Sequence, residues 1–560
     1  MSVVVRIALL RPMARLDPAG WGPRLAEALI TRSQVVSGLR GGTARRTAAA
    51  EEAVALCRRL VAERPDRHRT ALARALVARA GVPDVRPTTA VIAELTEAIG
   101  YVEESSDRLG LVALATARML LARHRAHLGQ VREALTSTRL ALRTWAGVEP
   151  LTVDDRARWI LTLLVVGECA TTLERSDEAL DVRRQAWDAY RGLPWRHRLR
   201  WMSVGANAAV SLAGSMAVHG RHRDALELLT ASATNLEVLR SVTPVPGHRM
   251  SADALLTEAL CRQELGDDEA ADRLAATAVD HLRRFVDRTP GVRGSSLAHA
   301  LRTHGLLLLR SGRPDEGVAR LAEAVEVARE GGGMHLAGAL ASLVSARMTA
   351  GAWEDLEPLL EEFLPLCRRQ ADDLPEVFRP LLVQSLCAVT VMSAFKRGDE
   401  DPPPPGTRIA GTTGTAAGRE AVELARSLVA EQPAYRALLS AALFGLDRAL
   451  NRSGDVAGAA EALRECVALR RELADEDPAH RADLSHALGN LGNRLDALGR
   501  LDEAYDAHRE SVEQARAVDG GLPPAEMAVA LRNLATSLAA LGRRDEAGRA
   551  LAEADRLVAT

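Results

Sequence analysis

The chain has 560 residues, 47% of them hydrophobic and 26% charged, with a formal net charge of -2. That length is too great for one compact core and fits several domains or an extended array with a distributed core. The balanced charge removes any global pull towards nucleic acid or an anionic membrane, and an aromatic content of only 3% suits closely packed helices of Ala and Leu.

Cys57, Cys169, Cys261, Cys367, Cys387 and Cys466 are scattered without a CxxC pair. This is the pattern of buried reduced thiols rather than of disulfides or a zinc site. The opening run MSVVVRIALLRPMARL is interrupted by Arg6, follows no basic residue and has no A-x-A cleavage site, so it is not read as a signal peptide. No window approaches the ~18 uninterrupted apolar residues of a membrane helix. A cytoplasmic location is expected, with no membrane partner. Lys396 is the one lysine in the chain, so nearly all basic charge is arginine.

Residues 1–47 form an N-terminal segment with one candidate helix, Pro23 to Arg40, after which Gly41 and Gly42 break the pattern. A strong helix begins near Ala48. Its EEAVALCRRLVAERP (Glu51 to Pro65) returns as REAVELARSLVAEQP (Arg419 to Pro433), with ten of fifteen positions identical. Both copies follow a Gly/Thr-rich loop and end at a proline that stops the helix. LRRELADEDP, ending at Pro478, is a weaker echo.

The turns recur through the degenerate array of 48–398 and again in 419–560. A Gly or polar residue closes one helix, acidic or polar residues open the next, and a small residue follows at Ala134, Ala179, Ala225, Ala271, Gly317, Ala459, Ala504 and Ala547. The first five are 45, 46, 46 and 46 residues apart and the last three 45 and 43. Seven residues further on stands another small side chain in most copies: Ala141, Ala186, Ser232, Ala278, Ala324, Cys466, Ser511 and Ala554. Two small residues a heptad apart share one helix stripe, where a partner helix can approach closely. The turn glycines relieve the left-handed conformation just past a helix end, and the acids favour the N-terminus of the next helix.

The best-preserved copy is LSHALGNLGNRLDALGRLDEAYDAHRESV, Leu484 to Val512. Its small residue before the last turn of the first helix (Gly492, and likewise Ala535, Ala213, Gly305, Ala259), its turn glycine (Gly499, and Gly542, Gly220, Gly312, Gly266) and the two small positions resemble the tetratricopeptide repeat (TPR). The likeness is strongest over Pro478 to Thr560, which looks like the arrays abundant in actinobacterial regulators, and extends in degenerate form from about Ala48. The period of about 45 departs from the family's ~34, so each helix should be longer, and the family's large aromatics are mostly replaced by Leu or polar residues such as His508. The resemblance implies an all-α, right-handed superhelical solenoid of about twelve tetratricopeptide-like helix hairpins, with the first helix of each pair lining the concave face.

Thr349 to Cys367 reads as another repeat, with Leu356 at the small position, and Leu374 to Gly398 as a first helix whose second begins near Ala416. Between them, 399–418 carries four prolines and several glycines, which no helix accommodates. It reads as a disordered insertion, or as a hinge before the C-terminal repeats of 419–560.

Neither GGTARRT (Gly41 to Thr47) nor GTRIAGTTGTAAGRE holds the G-x-x-x-x-G-K-[ST] phosphate loop. His124 with His127 and His299 with His304 lack a carboxylate or Cys at metal-ligand spacing, and no cysteine or serine carries a nucleophile's signature. No enzyme, metal or cofactor is expected. One anomaly remains. Five of the seven tryptophans, Trp145, Trp159, Trp187, Trp195 and Trp201, fall in a single window, and RGLPWRHRLRW holds four arginines without an acid. Trp and Arg dominate binding hot spots, whereas the plain alternative is tryptophan filling a bend between repeats beside solvated arginine. Nucleic acid fits poorly, because the basic excess is local. The expected function is a non-catalytic scaffold binding a protein or peptide in the concave groove, through Arg156, Arg158, Trp159, Arg198, Arg200 and Trp201. The alternatives are a regulatory solenoid sensing a small molecule or short peptide, and, behind it, an enzyme with a site in the groove.

Overall fold

The turn glycines singled out by the repeat, Gly220, Gly266, Gly312, Gly499 and Gly542, all lie in the left-handed region, with φ between 70 and 83°. Only glycine enters that region without strain, and each glycine ends one helix so that the next can fold back. The computed structural model describes the chain except residues 1–2, 35–41, 83–87, 129, 174, 243, 289–293, 332, 351, 353–354, 373–374, 395–405, 519–520 and 560. It is an all-α array of tetratricopeptide-like hairpins in two compact units, Met1–Gly312 and Arg313–Thr560.

In the first unit α1 (Val3–Leu16) precedes the hairpins α2 (Pro18–Gln34) with α3 (Gly42–Glu63), α4 (Pro65–Ala80) with α5 (Thr88–Val102), and α6 (Arg108–His127) with α7 (Val131–Ala146). There follow α8 (Val153–Thr172) with α9 (Ser176–Arg191), a short α10 (Trp195–Arg200), α11 (Met202–Val218) with α12 (His222–Val242), α13 (Pro244–Glu264) with α14 (Asp268–Arg288), and α15 (Ser295–Arg310). The second unit runs from α16 (Pro314–Gly331) through α17 (Gly333–Thr349), α18 (Leu356–Gln370), α19 (Pro375–Ala394), α20 (Gly414–Glu431), α21 (Arg436–Arg452) and α22 (Val456–Glu476). It ends with α23 (Arg481–Ala497), α24 (Leu501–Arg516), α25 (Pro524–Ala540) and α26 (Arg544–Ala559).

The small-residue seam is buried as the spacing predicts. Ala134, Ala141, Ala186, Ala225, Ala278, Ala459 and Ala504 are wholly inaccessible, so the helices of a hairpin approach with little side chain between them. Successive first helices also touch each other, α2 with α4, α4 with α6, α6 with α8, α11 with α13 and α13 with α15. A second layer of cohesion joins the second helices. Arg58 meets Glu97 at 3.0 Å, Arg139 meets Glu178 at 2.6 Å, Arg329 meets Glu362 at 2.8 Å, Arg471 meets Glu510 at 2.6 Å and Arg516 meets Glu553 at 2.6 Å. In every case arginine lies on the earlier second helix and glutamate on the next.

The boundaries differ from the sequence reading in four places. Helix α1 was not foreseen, and α2 begins at Pro18 rather than Pro23, with Trp21 inside it. Helix α3 starts at Gly42, not near Ala48, and is tied to the end of α2 where Arg46 Nε donates to the Ser33 carbonyl at 2.8 Å. Within 399–418, Arg408–Ile409 and Thr412–Thr413 pair as a two-stranded hairpin across Ala410 and Gly411, whose φ values of 49 and 80° suit a two-residue turn. Helix α20 then begins at Gly414 with the Thr413 hydroxyl accepting from Ala416 N at 3.3 Å. First-turn amides have no intrahelical partner to lose, which is why Gly and Thr are tolerated at both helix starts. The four prolines and Lys396 lie outside the described residues, as do Gly41 and the end of the Pro23 to Arg40 candidate. Across them α19 packs directly on α20. Helix α19 is also long and apolar enough to cross a membrane by length and composition. In this structure Phe378, Leu382, Val383, Leu386, Val389 and Met392 are buried where it packs on α18, α20 and α21.

Candidate functional site

Of the six expected binding residues, two, Arg200 and Trp201, meet at Asp154. Arg156, Arg158 and Trp159 lie on α8, Arg198 and Arg200 on α10, and Trp201 at the junction with α11. Asp154 accepts from the Trp201 indole N–H at 3.2 Å and pairs with Arg200 at 3.3 Å. Arg158 reaches Asp155 at 3.3 Å and Gln34 of α2 at 3.4 Å. The two tryptophans are half-buried and pack on the core of α8, α9 and α11 through Ile160, Leu163, Tyr190 and Val204. Arg156 and Arg198 are exposed. Trp145 is core, 2% exposed, with its N–H on Thr162 at 3.1 Å, and Trp187 stacks on Tyr190 at 5.9 Å. Among the expected residues the two rings pack on the core, Arg200 and Arg158 are held by Asp154 and Asp155, and the Arg156 and Arg198 side chains stand open.

A longer surface follows from the repeat itself. Taking one position per first helix at the repeat spacing of 45 or 46 gives Arg123, Glu168, Gly214, Leu260 and Leu306, on α6, α8, α11, α13 and α15. Every one of them is at least partly open to solvent, with Leu260 and Leu306 38% and 37% exposed. The adjacent column, Ala122, Gly167, Ala213, Ala259 and Gly305, is buried throughout. A parallel open column holds Thr116, Leu161, Asn207, Asp253 and His299. A Cβ added at Gly214 would meet no atom within 4 Å, so the stripe has a gap at its middle. Its character changes along its length, charged on α6 and α8 and apolar on α13 and α15.

Several charged groups along these first helices are partly open yet desolvated by their neighbours. Burial pulls the Arg123 guanidinium below the usual arginine range, while Glu168 pulls it back up. Burial alone lowers Arg302. The Asp253 carboxyl is raised by burial against the opposing effect of Arg249, 3.8 Å away. Arg183 of α9 is also lowered by burial and donates to Ser215 Oγ at 2.5 Å. The sequence reading missed this stripe because it looked for unusual residue types. The signal that could have found it is the repeat spacing, applied to positions that stay open rather than to those that stay small.

A family model described as anaphase-promoting complex subunit 5 matches residues 254–346, 429–488 and 490–559. No curated protein matches the chain. Among solved structures it is similar to a Rap protein complexed with competence and sporulation factor, at 14% identity over 66% of this chain and 97% of that one, TM-score 0.40. It is similar to the apo quorum sensor NprR from B. thuringiensis, at 11% identity, 68% and 93% coverage and TM-score 0.40. A third is a signal transduction ATPase with numerous domains and a tetratricopeptide repeat sensor from Pyrococcus horikoshii, at 11% identity, 85% and 74% coverage and TM-score 0.41. The repeat is tetratricopeptide-like.

In the second unit a cavity of about 140 Å³ is lined by Ser393, Thr413, Thr415, Arg452 and Ser453 among others. It includes the Gly/Thr stretch considered above for phosphate. Its hydroxyls are engaged with the chain's own backbone: Ser393 donates to Thr390 O at 2.7 Å, Ser453 to Leu450 O at 2.8 Å, and Thr413 caps α20. All six cysteines are free, and burial pushes the Cys57 and Cys169 thiols up to about 12, far from the lowered values of reactive thiols. Among the described residues no group of three or more His, Cys, Asp or Glu is placed to hold a metal.

Proposed function

We propose that this protein is a non-catalytic regulatory scaffold of the cytoplasm that holds a protein or peptide segment along the first-helix stripe of its first unit. The observation that carries the reading is the graded column from Arg123 and Glu168, past the gap at Gly214, to Leu260 and Leu306. A bound segment would place charged groups over α6 and α8, pass closest to the protein backbone at Gly214, and bury apolar side chains on α13 and α15. The Asn207 amide oxygen, which accepts from the Ser211 hydroxyl at 3.2 Å, belongs to a helix face two turns before the gap, where the amide can pair with a segment's backbone. Fully burying a leucine-sized side chain contributes about 1.5–3 kcal/mol, so two such contacts and a few polar ones reach a useful affinity only with a preorganised groove. Separate buried thiols suit a reducing compartment.

The test is selection of displayed peptides on the full chain, followed by hydrogen exchange with the best binder. Protection is expected on α11, α13 and α15, and Leu260→Asp with Leu306→Asp should weaken binding by at least about tenfold. Equal affinity for that variant, or protection confined to second helices, would sink the reading.

A further inference from the structure

Helix α10 does not belong to the repeat. The second helix α9 packs directly on the next first helix α11, and the six residues Trp195–Arg200 are an addition at the edge of the array between them. The addition is held firmly. Leu193 before it is 2% exposed, the Tyr190 hydroxyl donates to the Arg198 carbonyl at 3.1 Å, and Asp154 of α8 holds both Arg200 and Trp201 behind it. What this anchored turn offers to solvent is unusual for a repeat edge. Trp195 and Leu199, one helical turn apart, are each 61% exposed, although exposing such side chains is unfavourable. The Arg196 guanidinium lies 5.3 Å from the Trp195 ring. Arg191, Arg196 and Arg198 are exposed, and among the described residues none of the three is in an ion pair, whereas Arg200 is held by Asp154.

We infer that α10 is a docking knob for an acidic protein segment, which seats an apolar side chain on Trp195 and Leu199 while its carboxylates meet Arg191, Arg196 and Arg198. Charge decides the occupant. A cluster of unpaired guanidinium groups selects carboxylates, with which arginine forms bidentate pairs, and a rigid Trp beside Arg is the composition of an interface hot spot. Preorganisation by Tyr190 and Asp154 removes the ordering cost that a mobile loop would carry. A lipid surface is the weaker fit, because two apolar side chains on so short a helix bury less than a single acyl chain, which itself binds membranes only marginally.

The site is separate from the first-helix stripe, so the experiment uses the full chain carrying Gly214→Trp, which fills the stripe's gap. Random displayed peptides are panned on that protein, and the recovered peptides are then measured against two further variants of it. One carries Trp195→Ala and Leu199→Ala, and the other Arg191→Ala, Arg196→Ala and Arg198→Ala. All five side chains are exposed, and circular dichroism checks that helix content is unchanged. The inference expects peptides enriched in Asp and Glu around an apolar residue, losing at least about tenfold in affinity with either variant and binding more weakly as salt rises. It is overturned if no peptide is recovered, if those recovered lack acids, or if they bind either variant as well as the parent. It is also overturned if acidic peptides fail while phosphatidylcholine vesicles doped with phosphatidylserine bind through the same side chains.

Discussion

His508 occupies space that Gly492 leaves open. A Cβ at that glycine would lie 2.2 Å from His508 Nε2, and the imidazole is fully buried, with Nδ1 2.8 Å from Ser537 Oγ and Nε2 3.2 Å from the Gly489 carbonyl. Gly492→Ala should therefore destabilise the second unit by about 1–3 kcal/mol, the usual effect of overfilling a packed site, read as a lower urea midpoint. Burial lowers the His508 pKa below the ordinary histidine value of 6.5, outweighing the raising effects of Asp496 and the Gly489 carbonyl. The folded ring therefore takes up a proton less readily than a free imidazole. As pH falls below the ordinary histidine value, the unfolded chain takes up a proton that the folded chain refuses, so stability is intact at neutral pH and declines on acidification. Replacing His508 with Gln should flatten that decline between about pH 7 and pH 5. An unchanged slope would mean that other histidines carry it.

At the level of elements, the second-helix ladder and the small-residue seam act with different strength. The seam is buried, whereas the ladder pairs are exposed, with Arg471 and Glu510 side chains at 50% and 27%. Each exposed pair is worth about 0–1 kcal/mol and is screened by salt. Arg471→Ala combined with Arg516→Ala should lower the urea midpoint slightly at low salt and by almost nothing at high salt, whereas Ala504→Leu in the seam should be strongly destabilising at any salt. The seam was legible because its constraints are local: a small residue at a fixed place and a glycine with positive φ. The ladder was not. Its partners, Arg58 with Glu97, Arg139 with Glu178 and Arg471 with Glu510, lie 39 residues apart, an offset set by how neighbouring helices slide and absent from the repeat period. The tryptophan window was seen as one feature and separates into a core ring at Trp145, packing rings at Trp159, Trp187 and Trp201, and an open one at Trp195. Sequence could place them on helices but not fix which way each faces, because that phase is set by the neighbouring hairpin. Helix α1 escaped notice because Pro12 and Arg6 look like breaks, although Ile7 and Leu10 bury its inner face.

In an array each hairpin is stabilised by its neighbours alone, so damage should stay local. The molecule offers a way to see this, because six of its seven tryptophans lie in Met1–Gly312. Indole fluorescence therefore reports mainly on the first unit, while far-ultraviolet dichroism reports on both. The lever is Asp447 of α21, wholly buried, whose Oδ1 accepts from Arg494 Nε of α23 at 2.8 Å, with Arg494 itself only 16% exposed. Burial raises the Asp447 carboxyl even though Arg494 opposes the shift, so desolvation outweighs pairing here. Removing one partner of such a pair leaves the other charge buried and destabilises by about 3–5 kcal/mol. Asp447→Ala should shift part of the dichroism transition in urea to lower concentration and leave the fluorescence transition where it was. If both move together by the same amount, the two units unfold as one cooperative block and the nearest-neighbour description of this chain is wrong.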